Sequence, residues 1–405
     1  MAVRDRVRSW GNLFVLSSAS ALRGIRDNLR TVIWQPFALN FGLDMQQVGA
    51  LESLSDLTKL LFEPAFGVIS DALGRKRLLV LREAVVALAL LLILYAGSWH
   101  FLFAAMLLFG VSNSLVSVWS TLVAESAEPS QLGFVYSVMG ACYTGAGLIG
   151  TLAAGYIADA FGYGVVYTAA AVFAFTSLAL VWLRLPETRR EAPAKLDWGK
   201  TLTSTVMALN PPRELRGFYV AMGLDLVAFG MGLRLLSGML NAGYGYTPSM
   251  IGIYTAAMTL TMAVAQVPLG RLADRFGYSR FMATSQFMAC IMLGMMLFSK
   301  NFVVVVVANL IMGLANAFWM PAEQAWIAAN VDPKKRAQAL GSFSTFRGLL
   351  GLPAPIIGGI LFDNFGFNAP ILLNLVFAFI DGVVILAWVK DRPSQTQNHL
   401  GEKSS

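Results

Sequence analysis

Residues 67–77 read GVISDALGRKR: a Gly, an Asp four positions on, a Gly three further, then three cations, at the end of a long apolar run. The skeleton G-x-x-x-D-x-x-G returns at 155–162 (GYIADAFG), 270–277 (GRLADRFG) and 359–366 (GILFDNFG). The first two copies lie 88 residues apart and the last two 89, while the offsets between pairs are 203 and 204. One copy of so short a pattern carries little weight. Four copies at two matched spacings read as a duplicated chain with a further repeat inside each half.

The segments between the copies are greasy. The 405 residues are 57% hydrophobic and 13% charged, with a mean hydropathy of +0.63; a soluble domain carries roughly 25% charged residues. The length would accommodate two or three soluble domains, but apolar runs of spanning length recur, and 165–183 holds no charge at all. The expected class is an all-α membrane protein with twelve transmembrane helices. The net charge of +7 invites a nucleic-acid partner, and its distribution excludes one. With the N-terminus placed inside, Lys and Arg gather on the inner side at 4–8, 75–82, 184–216, 271–280, 334–336 and 390–403, and only Lys300 falls outside. That bias sets topology, with both termini cytoplasmic, and it suits an anionic inner leaflet. Cys142 and Cys290 sit in apolar runs, so no disulfide framework is expected. The first residues look superficially like a signal peptide, but losing them would leave helix 7 without its counterpart.

The expected helices run 12–41, 47–72, 78–97, 101–124, 132–158 and up to 183, then 218–242, 250–269, 281–298, 302–329, 337–361 and 369–389. Helix 5 is rich in small residues whose spacing, as in Gly147, Thr151 and Gly155, allows close helix contact. Pro353 and Pro355 should kink helix 11. The organisation expected is a six-helix bundle at 1–183, a Pro-containing polar linker at 184–216 with an interfacial helix near Trp198, a second bundle at 217–390 and a polar tail at 391–405.

On the signature stretches the chain resembles the major facilitator superfamily. GVISDALGRKR matches that family's cytoplasmic loop between helices 2 and 3, and GRLADRFGYSR its counterpart between helices 8 and 9. The resemblance spans about residues 10–390. It implies two pseudo-symmetric bundles, a multi-pass protein of the plasma membrane, and alternating access for a small solute, with helices 1, 4, 7 and 10 around a central cavity. It implies a gate as well. In the family the Asp of each signature (here Asp71 and Asp274) faces a helix N-terminus of the other half, where the macrodipole favours an anion. The first signature cation, here Arg75, joins it with an acid ending helix 4, here Glu125. Gly67, Gly74, Gly270 and Gly277 shape these turns. Tyr278, Ser279 and Ala328 replace charged counterparts in the second copy, so the latch should be stronger on the first half.

Charged residues inside the spans are Arg23, Arg26, Asp27, Arg30, Glu52, Asp56, Lys59, Glu63, Asp225, Arg234, Glu323, Arg347 and Asp381. Each would cost roughly 3 kcal/mol facing lipid at mid-bilayer, so they are expected to face the interior or a hydrated cavity. Arg23, Arg26, Asp27 and Arg30 share one face of helix 1, and Glu52, Asp56, Lys59 and Glu63 share one of helix 2. Helices 1 and 2 balance cations against anions, so a self-neutralising network competes with a substrate site. Arg30 and Arg234, 204 residues apart, sit near matching depths; some family members clamp an anion with such a pair, and guanidinium suits carboxylate or phosphate. Candidate cavity residues are these, with Arg347, Asn113, Trp119, Tyr143, Gln266, Asn316 and Trp319. Proton coupling needs a buried carboxylate that can turn neutral; Glu63, Asp225, Glu323 and Asp381 are the candidates.

With two His, one near a loop and one in the tail, and no P-loop, HExxH or GxSxG pattern, an enzyme or ATP-driven pump is not expected, nor a metal or cofactor. The expected function is secondary transport of a small polar solute, anionic or zwitterionic, with proton coupling, by a monomer. The alternatives are proton-driven export of amphipathic drugs, to which the Met-rich helices 8–10 are suited, and a membrane sensor on the same fold. Ala146 stands where some exporters carry Pro.

Overall fold

A computed structural model describes residues 2–126, 132–185, 187, 215–331 and 336–391. The described chain is helical: α1 (Ala2–Asn40), α2 (Met45–Leu73), α3 (Arg75–Leu94), α4 (Trp99–Ser114), α5 (Val116–Ser126), α6 (Leu132–Phe161) and α7 (Tyr163–Arg184), then α8 (Arg216–Met231), α9 (Leu236–Tyr244), α10 (Pro248–Phe276), α11 (Tyr278–Phe298), α12 (Phe302–Asn330), α13 (Arg336–Gly351), α14 (Ala354–Phe365) and α15 (Asn368–Trp388). Three pairs, α4–α5, α8–α9 and α13–α14, are each one crossing broken in the middle, which makes twelve crossings. Most of the linker, the region of Trp198 and the tail beyond Asp391 lie outside the described residues.

Each break has a local cause. Between α13 and α14 it is Pro353 and Pro355, as the sequence requires. At Leu115 two side chains compete for the ladder: Ser114 Oγ donates to Val111 O (2.6 Å), and Arg82 Nε donates to Ser112 O (3.2 Å). The α8–α9 break is filled from another helix and is taken up below.

Among the described residues nine helices are long and apolar enough to span a bilayer on composition alone. α1, α2 and α3 are not among them, because these three carry the intramembrane charges of the first half.

The last Gly of all four repeats adopts positive φ: Gly74 (+98°), Gly162 (+84°), Gly277 (+97°) and Gly366 (+77°). A side chain there would be strained, and the glycine lets the next helix start at once. Close packing of α1 on α6 also needs glycine. A Cβ on Gly24 would strike Tyr143 O, and one on Gly150 would lie 2.7 Å from Ile25 O. Leu16, Leu79, Trp119 and Leu122 belong to one apolar cluster; Phe218, stacked on Trp326 at 4.2 Å, belongs to another with Met222 and Ile385.

Two compact units result. The first comprises Met1–Trp198 with Arg234–Ala256 and Pro355–Phe367, and the second Gly199–Leu233, Ala257–Ala354 and Asn368–Ser405. The first unit thus gathers the chain on both sides of the Gly245 turn and the chain leading to the Gly366 turn.

Candidate functional site

The buried charges of the first half form a cluster between α1 and α3. Arg26, 1% exposed, ion-pairs with Glu83 and donates from Nε to Asp27 Oδ1 at 2.9 Å. Arg82 donates to Glu83 Oε1 at 2.9 Å, and Arg23 Nε lies 3.8 Å from that oxygen while its guanidinium covers the Trp119 ring at 4.5 Å. Tyr143 Oη donates to Asp27 Oδ2 at 3.3 Å. Three guanidiniums therefore surround two carboxylates. Arg82 corrects the sequence reading, which placed it among the inner-face cations; it is 3% exposed. Glu83 was missed altogether. Its signal was an Arg-Glu pair inside an apolar run.

On α2, Glu52 and Asp56 hold Arg234: its Nη2 lies 3.2 Å from Glu52 Oε2, and its Nη1 lies 2.6 Å from Asp56 Oδ2. Arg30, its expected partner, is half-buried over the Phe109 ring at 4.2 Å and meets no carboxylate among the described residues. Arg30 and Arg234 are thus engaged differently. Lys59 and Glu63 are half-buried without an ion pair among the described residues.

The second unit arranges its charges otherwise. Glu323, 4% exposed, accepts from Trp319 Nε1 and from Arg347 Nη1, both at 2.7 Å. Asp225 on α8 accepts from Gln286 Nε2 of α11 at 2.8 Å. Asp381 on α15 is fully buried, and among the described residues neither carboxylate oxygen has a partner at hydrogen-bond geometry; Asp225 and the Gln286 amide are the polar groups that face it. Asn113, Asn316 and Gln266 are half-buried.

The helix ends show what the repeat does. Asp159, from the second copy, accepts from Ser249 N at 2.9 Å, at the start of α10. Asp363, from the fourth copy, accepts from Gln46 N at 2.7 Å and Met45 N at 3.2 Å, at the start of α2. A Cβ on Gly155 would strike Pro248 O, and one on Gly359 would strike Met45 O. In both copies, then, the Gly permits backbone contact and the Asp neutralises orphan N–H groups at a positive helix end. These two copies form reciprocal caps within the first unit.

The first and third copies end on a different device. Arg75 N donates to Glu187 Oε1 at 3.0 Å, and Ser279 N donates to Asp391 Oδ1 at 3.1 Å. Both the capped residues and the capping acids are 204 apart, so one anion follows each bundle's last helix and caps its third. Neither acid was recognised from sequence, although the repeat offset pointed to both. Arg75 Nη1 also donates to Ser70 Oγ at 2.9 Å, and Asp274 Oδ1 accepts from Tyr278 Oη at 3.0 Å. The expected partnership of Arg75 with Glu125 and the role of Asp71 lie outside the described residues, as do the side chains of Glu125, Asp71 and Ala328.

Comparison with known proteins agrees with this architecture. Multidrug resistance protein MdtG of Dickeya zeae is 24% identical over 359 residues, 87% of this chain and 86% of that protein. MdtG of Proteus mirabilis is 23% identical over 409 residues, 98% of this chain and 100% of that protein. A crystal structure of a bacterial homolog of the human lysosomal transporter Spinster, inward-facing and unoccupied, shares the fold with a TM-score of 0.73 at 18% identity, covering 96% of this chain and 99% of that one. The profile of the Major Facilitator Superfamily matches residues 15–241 and 215–404. Together with the repeated helix caps, this match shows that the chain is a multi-pass membrane protein of the major facilitator superfamily.

Proposed function

We propose that the protein is a proton-driven exporter of amphipathic compounds, working by alternating access with both termini in the cytoplasm. The reading is preferred over transport of a small polar solute because of one observation: five of the buried or half-buried guanidiniums are already paired with carboxylates. Arg26, Arg82 and Arg23 share Glu83 and Asp27, Arg234 is held by Glu52 and Asp56, and Arg347 by Glu323. Charges so engaged are not free to clamp an anion. The similarity to MdtG supports the same reading.

The division into bundles at 1–183 and 217–390, joined at 184–216, follows from the repeat. On this topology the Asp159 and Asp363 caps close the outer end. Asp71 and Asp274, with Gly67, Gly74, Gly270, Gly277, Arg75 and Glu125, belong to the matching inner gate. Asp225 and Asp381 carry the proton. An isolated carboxylate in an apolar interior is too costly to remain charged and neutralises instead, which makes Asp381, buried with no ion pair among the described residues, the acceptor and Asp225, tethered by Gln286, its companion. Glu63 and Glu323 are the lesser candidates, Glu323 because two donors already hold it.

The test uses purified protein in liposomes with an imposed pH gradient and ethidium as a lipophilic probe. Gradient-driven movement of the dye is expected. A dye flux equal to that of protein-free vesicles would remove the exporter reading. A second reading, transport of an organic anion, rests on Arg30, which meets no carboxylate among the described residues; competition of dye transport by amphipathic anions but not cations would favour it.

A further inference from the structure

The α8–α9 crossing is interrupted by a 3-10 turn at Leu233–Leu235. α8 ends where Gly232 N donates to Ala228 O at 3.2 Å, and α9 starts at Leu236. In an unbroken helix the Arg234 carbonyl accepts from the Gly238 N–H four residues on. Here both groups are taken by the side chain of Gln35 from α1. Its Nε2 donates to Arg234 O at 2.8 Å, and its Oε1 accepts from Gly238 N at 2.8 Å. Gln35 is 6% exposed, so these bonds are sheltered from water. Position 238 must be small for the amide to enter: a Cβ there would lie 3.2 Å from Gln35 Cβ and 2.9 Å from Met45 Sδ. Insertion of a side chain into the backbone ladder is an established cause of helix kinks. The residue carried on the kinked turn is Arg234, whose guanidinium sits on Asp56 and Glu52.

We propose that Gln35 is a positioning residue of the outer gate: its amide splices the α8–α9 crossing to α1 and aims Arg234 at α2, and its withdrawal lets Arg234 and Gly238 form their own backbone bond. The crossing then straightens, Arg234 turns away from Glu52 and Asp56, and α9 leaves α1. Neither state strands a backbone group, because the bond that the amide gives up is replaced within the helix. A residue that only filled space would offer no such exchange. The word gate rests on the transport reading; the geometry and its test do not.

The test uses the full-length protein with Cys142 and Cys290 replaced by Ser and spin labels on cysteines at the exposed positions Asn40 and Ala242. Distances are compared between the parent and Gln35→Met, which keeps the length of the side chain and removes both hydrogen bonds. The parent is expected to show one dominant distance, and Gln35→Met at least a threefold larger share of longer distances with an unchanged fold by circular dichroism. Gln35→Ala should do the same. An unchanged distribution in either folded variant overturns the proposal, and so does failure of both to fold, since Gln35 would then be a core residue only. Lack of dye flux in the parent would count against the exporter reading while leaving the distance result intact.

Discussion

The α1–α3 cluster and the α8–α11–α15 cluster are both buried polar sites in apolar bundles, and they are charged in opposite senses. The first sets Arg23, Arg26 and Arg82 around Glu83 and Asp27, with three of the four carboxylate oxygens near a guanidinium and the fourth, Asp27 Oδ2, accepting from Tyr143 Oη. The second sets Asp225 against the fully buried Asp381 with one neutral amide, Gln286, in between. A cation-rich site can only be structural or anion-binding, because guanidinium does not give up its proton. An acid-rich site whose acids form no ion pair among the described residues can change its charge. The first is therefore suited to holding helices together, and the second is the place where the proposed proton coupling would reside.

The sharpest way to break the contrast is to neutralise one acid in each cluster. Glu83→Gln leaves buried guanidiniums short of an anion and should lower unfolding stability by about 3–5 kcal/mol, read from thermal denaturation in detergent. Asp381→Asn removes no ion pair and should stay within about 1 kcal/mol of the parent or exceed it. Equal losses would erase the distinction.

Function should separate the clusters the other way round. In Asp381→Asn, pH-driven dye transport should fall at least about tenfold, equivalent to about 1.4 kcal/mol, while exchange with no gradient persists. Loss of both activities together would make Asp381 structural.

The reciprocal caps provide a milder perturbation. Asp159→Asn with Asp363→Asn should weaken the caps on the starts of α10 and α2 by about 0.3–1 kcal/mol per site. The increase should appear as faster labelling of a cysteine at Asn40 by an impermeant maleimide. No change in labelling would mean that the caps only terminate helices.

The smallest effect is expected at Arg30. Arg30→Gln loses a cation–π contact with Phe109 and should cost about 0.5–1 kcal/mol, with ethidium transport retained. Abolished transport with normal stability would transfer the substrate site to Arg30 and favour the anion reading.

Much of this fold was legible before any coordinates. The four G-x-x-x-D-x-x-G copies predicted twofold duplication, and their terminal glycines turn at positive φ where each next helix begins. Pro353 and Pro355 marked the α13–α14 break. The Gly and Asp of the second and fourth copies were visible as a repeat without a purpose; the purpose needed the start of α2 and of α10 to be brought against them. Glu187 and Asp391 were visible too, at the same offset of 204, yet nothing in their neighbours along the chain says that they cap α3 and α11.

The sequence by itself determined the solvent, the number of crossings and the twofold repeat. These follow from apolar run length, charge placement and spacing, all properties of the linear chain. Tertiary structure alone decided the pairing of charges. Arg82 moved from an expected inner-face cation to the centre of a buried cluster, Arg234 found Glu52 and Asp56 while Arg30 lies over Phe109, and Asp381 found no ion-pair partner among the described residues. Which charges meet depends on how helices far apart in sequence rotate against one another, and in an apolar bundle that rotation separates a neutralised ion pair from a buried acid with no cation against it.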